Sequence, residues 1–120
     1  MTPLKVKQKL FEARDVIHDL HLDSVTYAQH TALNGFYNGW TDLLDSFLET
    51  YYGKYGRIKG TITIDSSTDL KADEYLKQLM LFVCEDFYLI IDETVDSDLD
   101  NIIADMKQLI NHTLYLLTLK

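Results

Sequence analysis

Apolar positions recur at helical spacing through most of the chain. Leu10, Ala13, Ile17 and Leu20 fall three or four residues apart, and Thr2-Pro3 ahead of them reads as an N-cap followed by proline at the first helical position. A first helix is predicted from about residue 3 to about residue 22. Thr26-Tyr27-Ala28-Gln29 then fits a capping box, and Leu33, Phe36, Trp40, Leu43, Leu44, Phe47 and Tyr51 form one stripe behind it. With Gly53 as its stop, this second helix spans about 26 residues and about 39 Å. The short turn Asp23-Ser24-Val25 makes the two helices an antiparallel hairpin.

Residues 53–68 break the pattern. They hold glycines, three cations and a short Thr/Ile alternation, with no helical period. Beyond them Leu70, Leu76, Leu79, Met80, Val83, Phe87, Ile90 and Ile91 predict a third helix over roughly 69–93. Ser97-Asp98-Leu99-Asp100 reads as a capping box for a fourth helix, which carries Ile102, Ile103, Met106, Leu109, Ile110, Leu114 and Leu117. Four helices joined by short, long and short connections predict an all-α chain, one domain over residues 1–120. Its single long crossover between the second and third helices is the connectivity of ferritin-like four-helix bundles. The crossover, about 16 residues, exceeds an ordinary helix–helix turn and suits a span down the bundle.

Composition narrows the partners. With 19 acidic against 11 basic side chains the net charge is -8, which disfavours nucleic-acid binding through the bulk surface and predicts weak or no DNA binding. One cysteine, Cys84, sits in the run Leu81-Phe82-Val83-Cys84 and reads as a buried small hydrophobe in a reducing, cytoplasmic compartment. No window is long and apolar enough for a leader or a spanning helix, so no membrane partner is expected.

The candidate chemistry lies beside the core stripe of the second helix. Projected at helical spacing, His30, Asn34, Thr41, Asp45 and Glu49 form a polar stripe pointing away from the chain's own core. His18 and His21 are neighbours near the end of the first helix. Carboxylates at i and i+4 with imidazoles in reach suit iron or another divalent transition metal such as zinc. There is no Glu-x-x-His, so a di-iron site made by one chain's four helices is not expected. An EF-hand beginning at Asp96 fails, because Asn101 and Lys107 occupy the positions of its glycine and its bidentate glutamate. The acidic run from Asp92 to Asp100 suits a helix start instead. Lys54, Arg57 and Lys59, with Tyr51, Tyr52 and Tyr55, form a basic-aromatic cluster able to hold a phosphate or a nucleotide.

These residues resemble a known family. Ile17-His18-Asp19-Leu20-His21-Leu22 is similar to the end of the first helix in Dps proteins, the miniature ferritins. His30, Asp45 and Glu49 repeat the spacing of the histidine, aspartate and glutamate on that family's second helix, and residues 104–117 resemble its last helix. The chain also resembles short Dps-like proteins encoded by bacteriophages. It departs from the family at Thr31, Asn34 and Leu22, and residues 53–68 look too short for the family's extra crossover helix. Of the two first-helix histidines, His18 matches the interval to His30 and His21 matches the local pattern; His21 is taken as the ligand. The resemblance implies a ferroxidase-type site between subunits, with Asp45 and Glu49 of one chain facing His21 and His30 of its mate. It also implies a homo-oligomer, at least a dimer, that binds and oxidises Fe(II), with sequestration depending on whether a cage closes. The alternative reading is a metal-free helical interaction module that engages a host protein or a nucleotide through the 53–60 loop.

Overall fold

The computed structural model describes residues 1–119, and among these the regular structure is helical. Helix α1, Pro3–Leu22, begins where predicted: Thr2 is extended, and its hydroxyl accepts the Lys5 N–H at 3.2 Å. Its core face is Val6, Leu10, Ala13, Val16 and Ile17. Helix α2, Tyr27–Tyr55, starts at the Thr26 cap, whose hydroxyl accepts the Gln29 N–H at 3.2 Å. At 29 residues it is about as long as the molecule's 43 Å principal extent, so it runs the length of the bundle.

Three boundaries differ from expectation. α2 does not stop at Gly53 but continues to Tyr55, and the left-handed residue that ends it is Gly56, at φ +89°. Its last turn is held from outside: Lys54 and Tyr55 both bond Asp96, across about 40 residues of sequence. α3 is shorter than 69–93, spanning Ala72–Glu85 and tightening into a 3₁₀ turn over Asp86–Leu89. Past that turn Asp92 accepts from both the N–H and the hydroxyl of Thr94, and Asp96 accepts the Asp92 N–H at 2.9 Å. These side chains satisfy the backbone outside a helix. α4, Ser97–Leu116, lacks the predicted capping box; Asp96 occupies the cap position with its carboxylate committed elsewhere.

α1 packs on α2, α2 on α4, α4 on α3 and α3 on α1, enclosing one core. Trp40 is fully buried at its centre, and its indole N–H donates to the Leu10 carbonyl at 2.9 Å. Phe36, Phe47, Phe82 and Phe87 continue the aromatic layer. Residues 57–71 lie along α1: Gln8 accepts the Thr63 N–H at 3.3 Å, and Gly60 sits so close that a Cβ there would be 2.8 Å from Leu4 Cδ2. Cys84 is exposed, contrary to its reading as a buried hydrophobe. Phe82 and Val83 face the core while Leu81 and Cys84 face out, because four consecutive helical residues cannot share one face. No helix among the described residues is long and apolar enough to cross a membrane.

Candidate functional site

The α1–α2 turn brings two of the four candidate ligands together. His21 is buried in the last turn of α1, His30 lies in the first turns of α2, and their Nε2 atoms are 3.1 Å apart. The tight turn is closed by the Asp23 N–H on the Asp19 carbonyl and by the Ser24 hydroxyl on the Leu20 carbonyl, each at 3.0 Å. His30 Nδ1 is 3.2 Å from the His21 carbonyl, a contact only an N–H can make favourably. With a neutral His30 ring, that tautomer puts a lone pair on His30 Nε2 and makes His21 Nε2–H its donor. That leaves His21 Nδ1 buried with no hydrogen-bond partner among the described residues.

Burial, followed by the neighbouring His30 and His18 rings, pushes the His21 pKa below the ordinary histidine value of 6.5. The neutral imidazole, the form that can ligate a metal, is thereby favoured. His18 is exposed and stacks between His21, at 6.0 Å, and Tyr37, at 4.5 Å between ring centroids. Tyr37 was not legible as a partner; its signal was the hairpin register, which sets it about one turn beyond the position opposite His18. Leu22, Val25 and Tyr27 surround the turn with exposed apolar surface, Val25 being 97% exposed.

The other two candidates lie elsewhere. Asp45 and Glu49 are exposed on α2 and form no ion pair among the described residues. At the rise of a helix, Asp45 lies about 22 Å along the axis from His30. Accordingly, no group of three or more His, Cys, Asp or Glu among the described residues could hold a metal ion within one chain. Of the rest of the polar stripe, Asn34 is exposed, and Thr41 is half-buried with its hydroxyl on the Tyr37 carbonyl at 2.8 Å.

The basic-aromatic cluster is divided. Lys54 pairs with Asp96 at 2.7 Å and with Asp98 at 2.8 Å, so it is not free to meet a partner. The Tyr55 hydroxyl donates to the Asp96 carboxylate at 2.6 and 2.7 Å. Lys54, Tyr55 and the Asp92 N–H hold the Asp96 carboxyl down at about 2. Nearby, the Tyr88 hydroxyl donates to Asp100 at 2.6 Å. The acidic run thus joins α2, the 3₁₀ turn and α4, a structural role. His112 is exposed on α4.

Neither a curated protein nor a solved structure matches the chain. Residues 21–117, which include all four candidate ligands, match the model of a family of unknown function (DUF5856), and the chain belongs to that family.

Proposed function

We propose that this chain is a ferritin-like, Dps-related protein that binds Fe(II) between two subunits and oxidises it. The observation that carries the reading is the His21–His30 pair, in which an Nδ1–H bond to a backbone carbonyl orients the His30 ring so that its Nε2 faces His21 Nε2, the two nitrogens a metal ion would take in place of the proton they share. Metal-ligating histidines are oriented in this way. The ligand chemistry, imidazole nitrogen completed by carboxylate oxygen, is normal for ferrous iron. The single-crossover topology draws support from the 57–71 segment lying along α1 and from the cyclic packing of the helices.

In this reading His21 and His30 of one chain hold Fe(II), which is the substrate, against Asp45 and Glu49 of a second chain. The carboxylates offset the charge that grows as each ferrous ion loses an electron. Peroxide, the oxidant, takes one electron from each of two ferrous ions and two protons, leaving two waters. Whether ferric product is stored depends on closure of a shell.

The test is anaerobic addition of Fe(II) to the purified protein, with bound metal measured per subunit and ferric absorbance followed after peroxide. Asp45→Ala with Glu49→Ala is expected to reduce peroxide-driven oxidation to the protein-free rate, and His21→Ala with His30→Ala to do the same, with helical circular dichroism retained. Stoichiometric binding and oxidation unchanged in both double variants would overturn the proposal.

A further inference from the structure

The outer face of α2 carries a pattern of its own. Thr31, Asn34, Asn38, Asp42, Asp45 and Glu49, with Tyr27 at the start of the helix, are all exposed and recur three or four positions apart. At helical spacing they fall within an arc of about 80° and form one seam about 33 Å long. The seam is symmetric about Asn38, its other positions lying four, seven and eleven residues to either side. In charge it is not symmetric. Its carboxylates all follow Asn38, and none has an ion-pair partner among the described residues. The chain is 25% charged, yet from Ser24 to Thr41 it holds no Asp, Glu, Lys or Arg.

Those two properties together select a partner and its direction. A parallel copy of α2 in register would set each carboxylate on its own equivalent, where like charges repel. An antiparallel copy, turned about a two-fold axis at Asn38, sets Asp42 opposite Asn34, Asp45 opposite Thr31 and Glu49 opposite Tyr27. Every carboxylate of the seam then meets an amide or hydroxyl donor, and the two Asn38 amides can exchange N–H and C=O bonds across the axis. A chain of net charge -8 repels its own copies, so a face that keeps its carboxylates apart is where two copies can meet.

We infer that this seam is the surface on which a second copy of the chain docks, with the two α2 helices antiparallel and the two-fold axis passing Asn38. The choice of a second copy rests on the dimer of the proposed function, whereas the register follows from the seam's spacing and charge. The same register sets Asp45 of one chain opposite Thr31 of its mate, one position from the mate's His30.

The test uses metal-free protein carrying Cys84→Ser, which removes the chain's one native thiol. With Asn38→Cys added, oxidation by diamide should give a covalent dimer. With Asp42→Cys instead it should not, because the two copies of position 42 would lie eight residues apart, about 12 Å along the helices and beyond the reach of a disulfide. In sedimentation velocity, Asn34→Asp sets a carboxylate against Asp42 of the mate twice per dimer and should raise the dimer dissociation constant at least tenfold. Adding Asp42→Asn removes that clash and should restore dimerisation, and since both positions are exposed the helical circular dichroism should not change. A monomeric wild-type chain, a dimer that Asn34→Asp leaves intact, or a bond at position 42 as ready as that at position 38 would overturn the inference. A dimer of this register that fails to oxidise Fe(II) upholds the docking surface and overturns the proposed function, and oxidation without a bond at position 38 does the reverse.

Discussion

Asp96 shows how one residue can decide an element far from it. Its carboxylate is sealed from solvent under Lys54 and Tyr55 at the end of the bundle, and it ties the last turn of α2 to the chain entering α4. These partners favour its charged form, holding its pKa at about 2 against an ordinary 3.8. A carboxyl with a lowered folded-state pKa contributes stability that is fully present above its unfolded value and is lost as pH falls through the folded one. The contribution should therefore fade between about pH 4 and about pH 2. Asp96→Asn removes the charge while keeping the shape. Thermal melts should show a lower Tm at neutral pH and a gap to wild type that narrows on acidification through that window. A gap that is constant with pH would mean the carboxylate's charge does not contribute.

At the scale of elements, both ends of α1 and the start of α2 were legible, and the end of α2 and the bounds of α3 were not. Thr2-Pro3 and Thr26 act within a few residues, so local chemistry fixes where α1 and α2 begin. The end of α2 is tied to Asp96, about 40 positions away, and no local pattern reports that, whereas past α3 the bonds of Asp92 to Thr94 and Asp96 are local ones that an apolar period does not register. The His21–His30 approach was legible in part, since a short turn places their helical positions side by side; the ring geometry and the Tyr37 stack were not. Cys84 misled because an apolar run of four was read as one face. The glycines of α2 test the packing directly. Gly35 is exposed with no atom within 4 Å of where a Cβ would go, whereas at Gly39 the Leu109 methyl carbons would lie 3.1 Å from it. Gly35→Ala should stabilise the fold by about 0.8–1 kcal/mol in urea denaturation, from helix propensity alone. Gly39→Ala should gain less, because Leu109 must move. Equal gains at both positions would mean that α4 does not constrain α2 there.

For the whole molecule, the separation of the candidate ligands sets the requirement. Two imidazoles meet at one end of α2 while the carboxylates lie about 22 Å away along the same helix, too far for one coordination shell. Under the proposed function a two-fold dimer would resolve this: a symmetric interface that placed the histidines of one chain on the carboxylates of its mate would repeat the contact in reverse, giving two sites per dimer. Mixing subunits makes this testable without a structure of the dimer. Homo-oligomers of the His21→Ala/His30→Ala chain and of the Asp45→Ala/Glu49→Ala chain should each be inactive. After dissociation and reassembly of an equal mixture, half the dimers are hybrids, and each hybrid joins intact histidines to intact carboxylates at one of its two sites. Oxidation of Fe(II) should therefore return to about one quarter of the wild-type rate. A site contained in one chain has no route to such recovery, so a mixture that stays inactive despite verified subunit exchange would exclude the shared site.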